Sequence, residues 1–118
     1  MARDDYPVIV YQILSYLYKQ LKEGKPIQEE YLMPDGKLFR INQNYWLYIL
    51  INLQKDGYID GLDFIERNYA GEEGIVREVY DLKYCNITPK GIEYLTDNSF
   101  IQKAKDFLKD VKSIVPFV

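Results

Sequence analysis

Asn44, Tyr48, Ile51, Asn52 and Lys55 fall on one line of an amphipathic run between Asn42 and Gly57, with Gln43 near its start. Carboxamides of this kind make paired hydrogen bonds to adenine edges, and a tyrosine hydroxyl or a lysine ammonium reaches phosphate. Gln43 and Asn44 stand where a recognition helix presents side chains to base edges. The chemistry these residues suit is recognition of double-stranded DNA, with no bond made or broken. Two other readings compete with it. The line is also what a solvated helix face looks like, and Tyr48 beside Ile51 is an apolar pair of the sort that marks a contact with another protein.

Lys19, Lys22, Lys25, Lys37 and Arg40 form a modest basic group ahead of this run, with Lys37 and Arg40 nearest to it. They suit a phosphate backbone flanking the run, or simply a solvated surface mixed with Glu23, Glu29, Glu30 and Asp35. The charge balance weighs against strong DNA binding. Eighteen acids against fifteen bases leave the chain at −3. Residues 1–60 hold seven bases and eight acids, residues 61–98 four and eight, and residues 99–118 four and two. Non-specific affinity for DNA grows with the number of phosphates neutralised, and the run offers one lysine. Binding is therefore expected to be weak per protomer.

Catalytic chemistry finds few residues to use. The chain has no histidine, which excludes a Ser-His-Asp triad, a Cys-His pair and an HExxH zinc site. Asp60, Asp63 and Glu66 are close in sequence, but strand alternation turns Asp63 away from the other two. Gly71-Glu72-Glu73-Gly74 lacks the lysine and the length of a phosphate loop. The single cysteine, Cys85, sits in an expected strand, where a buried structural thiol is the common case. The expectation is a protein that is not an enzyme and needs no cofactor. One unpaired cysteine also fits a reducing, cytoplasmic setting. The apolar stretch from Tyr6 to Tyr18 is broken by Gln12 and Ser15 and is too short to span a bilayer, so no membrane association is expected.

The elements that must position these residues follow from periodicity. A helix is expected over about 5–23, with Val10, Ile13, Leu14, Leu17 and Leu21 inward and Gln12, Ser15, Lys19 and Lys22 opposite. Gly24 ends it. A short helix over 27–33 stops at Pro34-Asp35-Gly36, and 38–41 reads as extended. Asn42 caps a third helix over 43–56, with Trp46, Ile49, Leu50 and Leu53 inside. From Tyr58 to Ile87 the pattern turns extended, giving strands near 58–67 and 75–87 around a tip at 68–74, with bulges at Gly61-Leu62-Asp63 and Tyr84-Cys85. Thr88-Pro89 starts a fourth helix. Ser99 and Gln102 form a capping box for a fifth, whose apolar face is Phe100, Ala104, Phe107, Leu108, Val111, Ile114 and Val115, ending at Pro116.

Helix, short helix, helix, hairpin is the order of a winged helix. The chain is expected to be one α+β, mostly helical domain: a winged-helix core over 1–98, comprising a three-helix helix-turn-helix plus a β-hairpin wing, with an amphipathic helix over 99–118. Tyr45-Trp46-x-x-Ile49-Leu50-x-x-Leu53-x-x-x-Gly57-Tyr58-Ile59 resembles the third helix and strand entry of winged-helix proteins. Ile87-Thr88-Pro89-Lys90-Gly91-Ile92-Glu93-Tyr94-Leu95 resembles their strand-to-helix junction after the wing. With Val8-Ile9-Val10-Tyr11-x-Ile13-Leu14-x-Tyr16-Leu17, these segments are similar to the YjcQ-like family of small bacterial and phage proteins across nearly the whole chain. The resemblance implies the winged-helix fold and no particular chemistry. The leading expectation is a small DNA-binding transcriptional regulator of phage origin, the alternative a winged helix that serves as a protein-interaction adaptor.

Twelve tyrosines in 118 residues bear on the second reading, because tyrosine enriches interfaces. The wide apolar arcs of the first and last helices also need cover. Phe107, Leu108 and Val111 are expected to meet the Tyr11–Tyr18 flank within one chain, with any remaining apolar surface forming a homodimer.

Overall fold

The computed structural model of the chain describes residues 1–67 and 76–110. The first helix, α1 (Tyr6–Glu23), has Pro7 in its first turn and is closed by Gly24 in the left-handed conformation. Val8 to Leu14, Tyr16 and Leu17 are all buried, so this helix has no solvated face along its first three turns. Gln12 is 4% exposed and Leu21 is 47% exposed, the reverse of what a single stripe predicts. The cause is enclosure, since α5, α4 and β4 all pack on α1.

Polar side chains of α1 hold the loop that follows. The Gln20 amide donates to the Pro26 carbonyl at 2.7 Å, and the Tyr16 hydroxyl accepts from the Gln28 N–H at 2.9 Å. The second helix, α2, is a single turn, Glu29–Leu32, shorter than the expected 27–33. The segment after it makes one isolated bridge, Asp35 to Arg40. Helix α3 (Gln43–Lys55) begins where expected, with the Asn42 side chain accepting from the Asn44 and Tyr45 N–H groups. Its Trp46 is buried, and the indole N–H donates to the Leu32 carbonyl at 2.6 Å, which anchors α3 to α2.

The extended region is one antiparallel ribbon in two stretches. Strand β1 (Ile59–Asp60) pairs with β4 (Asn86–Ile87), and β2 (Asp63–Arg67) pairs with β3 (Val76–Asp81). The break falls at Gly61-Leu62 and at 82–85, where alternation fails in the sequence. Gly61 has φ +76, and a Cβ there would lie 1.9 Å from the Tyr84 carbonyl oxygen. Leu62 turns inward, and its N–H and C=O are both bonded by the Gln54 carboxamide, at 2.8 and 2.9 Å. A side chain of α3 thus supplies the pairing that the strand gives up. The hairpin tip at 68–74 lies outside the described residues.

Helix α4 (Pro89–Asp97) is capped by Thr88, whose oxygen accepts from the Gly91 N–H at 3.0 Å. Helix α5 (Ser99–Asp110) is capped one residue earlier than expected. The Asn98 carboxamide oxygen accepts from the Phe100 and Ile101 N–H groups. Gln102 reaches back to the Leu95 and Thr96 carbonyls, so no capping box forms. Ile101, Ala104 and Leu108 face inward, Phe107 is half-buried, and Phe100 is 62% exposed rather than on the apolar face. Val111, Ile114, Val115 and Pro116 lie outside the described residues. α5 packs on α1 and α4 of the same chain. The described residues thus form an α+β arrangement, mostly helical, with five helices and two small antiparallel sheets. No helix among them is long and apolar enough to cross a membrane.

Candidate functional site

The amino end of α3 leaves Gln43 and Asn44 exposed, with Tyr48 49% exposed one turn on. Beyond Tyr48 the expected recognition line changes character. Ile51 is fully buried, not exposed. Lys55, one turn further along the same flank, places its ammonium on the Glu66 carboxylate of β2, and α3 also touches β3, so the ribbon covers this flank. Lys55 holds the Glu66 carboxyl below its usual range by a direct hydrogen bond, against the opposing effect of burial, with Arg77 adding to the lowering from 3.5 Å. The Asn52 amide donates to the Tyr48 carbonyl at 2.8 Å, turned back on its own helix.

Three residues of the basic group are paired as well. Lys37 meets Glu30 at 3.4 Å, Arg40 meets Asp35 at 3.1 Å and Lys25 meets Glu23 at 4.0 Å. These pairs are exposed and add little stability, but each offsets a positive charge that phosphate would need. Arg40 precedes α3 while Lys55 closes it, about 18 Å away along a helix of this length. The expected DNA set is therefore not drawn into one basic surface.

A different cluster takes shape beside α3. The Tyr6 ring meets Tyr48 edge-on at 6.4 Å, and Tyr58 stacks on Tyr94 at 4.2 Å. Burial pushes the Tyr6 hydroxyl up to about 12, and the nearby Tyr94, Asp56, Tyr48 and Tyr45 add to the rise. Tyr6 thus touches Tyr48 and lies near enough to Tyr94 for their charges to interact. Lys90 lies over the Tyr58 ring at 5.1 Å and donates to the Asp56 carbonyl at 2.7 Å. A groove of about 320 Å³ lies at the stack, lined by Tyr58 and Tyr94 together with Lys90, Glu93, Asp97 and Asn98. Asp4 and Asp5 stand near Tyr45, raising its hydroxyl beyond what burial does. Tyr6, Tyr45, Tyr48, Tyr58 and Tyr94 thus form a face rimmed by Asp4, Asp5, Asp56, Glu93 and Asp97, with Lys90 inside it.

The sequence does not group these tyrosines, because three helices and the turn before β1 supply them. The signal open to it was Gly91, which lets α4 cross close to the strand entry and so brings Tyr94 to Tyr58. Of the expected interaction residues, Tyr11 and Leu108 are buried, and Tyr18 and Phe107 are half-buried. Leu108 lies by Gln12, at the amino half of α1, whereas the Tyr18 ring carries the Lys22 ammonium at 4.4 Å. Val111 lies outside the described residues. Cys85 is buried, and its thiol is pushed up to about 12 by that burial and by Asp60. Among the described residues no group of three or more histidines, cysteines or carboxylates is arranged to hold a metal ion.

No curated protein and no solved structure matches the chain. The family model described as YjcQ protein matches residues 11–114, most of its length, and the chain belongs to the YjcQ family.

Proposed function

We propose that the chain is a non-catalytic winged-helix module that binds another protein through the tyrosine face, and that the partner segment carries arginine or lysine. The winged-helix reading is supported by three helices followed by an antiparallel ribbon and a fourth helix, in that order. The observation that carries the function is the clustering of Tyr6, Tyr45, Tyr48, Tyr58 and Tyr94 inside a rim of carboxylates. Tyrosine supplies large contact area at low entropic cost. Its ring face also attracts a guanidinium, and the carboxylates add long-range attraction for a basic segment. The same charges repel phosphate.

A second reading keeps Gln43 and Asn44, exposed at the start of α3, as readers of duplex DNA in the manner of a transcriptional regulator. Two titrations separate the readings. In the first, arginine-containing peptides and glutamate-substituted controls are added to the labelled protein, followed by NMR. The adaptor reading expects shifts centred on Tyr48, Tyr58 and Tyr94 with the basic peptides alone, lost in Tyr48→Ala and Tyr94→Ala. In the second, duplex DNA is titrated by gel shift over a range of salt. Retardation with a steep salt slope that Asn44→Ala weakens, alongside silent peptide titrations, would move the function to DNA.

A further inference from the structure

Gln12 lies on the side of α1 that periodicity assigns to solvent, yet it is 4% exposed. Its Nε2 donates to the Leu38 carbonyl at 2.9 Å, which sets the orientation of the carboxamide, since Oε1 in that place would face another acceptor. Oε1 itself is buried and meets no donor among the described residues. Buried acceptors are almost always paired, because leaving one unpaired forfeits its hydration with nothing in return. Among the described residues this acceptor is left without a donor.

Gln12 lines a cavity of about 290 Å³. Its other buried walls are Leu38, Phe39 and Leu108, which are apolar. Its rim is exposed and charged: Arg3, Asp4 and Arg40. Arg40 spends its Nε on Asp35 at 3.1 Å, and a guanidinium has further N–H donors that suit a carboxylate. The Tyr45 hydroxyl donates to the Asp4 carbonyl at 2.8 Å and holds the rim segment in place.

We infer that this cavity binds a small zwitterion with an apolar side chain, the chemical class being an α-amino acid. The ligand ammonium donates to Gln12 Oε1 and faces the Asp4 charge. Its carboxylate meets Arg40 and Arg3, and its side chain lies against Leu38, Phe39 and Leu108. A simple carboxylate would leave Oε1 unpaired, and a simple amine would leave the guanidiniums unused. The site shares Asp4 and the Tyr45 bond with the rim of the tyrosine face, but Gln12, Leu38, Phe39, Arg40 and Leu108 belong to it alone, and its test substitutes none of the tyrosines.

The test uses the full chain, with leucine, phenylalanine, 4-methylpentanoate and 3-methylbutylamine as probes, by calorimetry and thermal shift. Leucine or phenylalanine should bind and raise the melting temperature, with the two half-molecules at least about tenfold weaker, as expected when a buried acceptor or a charge partner is lost. Arg40→Gln, at an exposed position, should weaken leucine by at least about tenfold while sparing the amine. Gln12→Met, with folding checked by circular dichroism, should remove the advantage of leucine over 4-methylpentanoate. The inference is overturned if no probe binds at millimolar concentration, in which case Gln12 is met by water only. It is equally overturned if Arg40→Gln leaves leucine affinity unchanged.

Discussion

Trp46 is the only indole in the chain and is 5% exposed, with its N–H on the Leu32 carbonyl. Trp46→Ala should cost about 3–5 kcal/mol through lost transfer energy and an unfilled cavity, measured by urea denaturation. Native emission should be blue-shifted, and a maximum typical of water would contradict the packing. Glu66 gives a pH-dependent readout. Lys55, helped by Arg77, lowers its folded pKa below the unfolded 4.5, so the folded state binds the proton less tightly. Its contribution is therefore complete above the unfolded value and lost as pH falls through the folded one. Stability of the parent should fall more steeply than that of Glu66→Gln over that acid window, and parallel profiles would show that the Lys55–Glu66 pair contributes nothing. At this scale the sequence was informative about residue type and less so about surroundings. Trp46 reads as core from its neighbours at helical spacing, whereas Gln12 reads as solvated from its polar type, although Val8, Ile9 and Tyr16 flank it at that spacing.

The caps and breaks of single elements were the most legible part of the chain. Gly24, Asn42 and Thr88 act where local chemistry places them, because a cap satisfies backbone groups within a few residues of itself. Asn98 and Ser99 are both good caps, side by side, and only the path of the chain out of α4 selects Asn98. Gly91 shows how closely the elements meet. A Cβ there would lie 2.1 Å from the Tyr58 carbonyl oxygen, a backbone atom that cannot turn aside. Gly91→Ala should therefore destabilise by about 1–3 kcal/mol or more, despite the better helix propensity of alanine. A thermal melt unchanged from the parent would mean that α4 can stand off the strand entry. The same substitution should disturb the Tyr58–Tyr94 stack, since both tyrosines ride on that crossing.

Across the whole molecule, α5 matters as cover. It buries Ile101, Ala104 and Leu108 and packs on α1, which has no solvated face over its first three turns. Removing residues 99–118 should uncover several large apolar side chains, each worth about 1.5–3 kcal/mol when fully buried, and leave an aggregating product. A truncated chain that stays folded and elutes as a monomer would instead make α5 a detachable arm. The element order, the starts of α3 and α4, the interruption of the ribbon and the burial of Trp46 were legible in the sequence, because each depends on contacts within a turn or on one periodic stripe. The fate of Ile51 and Lys55 was not. Both belong to an outward line of α3, and only the ribbon laid along that flank buries one and pairs the other with Glu66. The tyrosine face and the Gln12 cavity have the same origin. Their residues come from elements far apart in the chain, and periodicity reports which side of a helix is apolar but not how many neighbours will surround it. The number and placement of those neighbours is a property of the packed molecule alone.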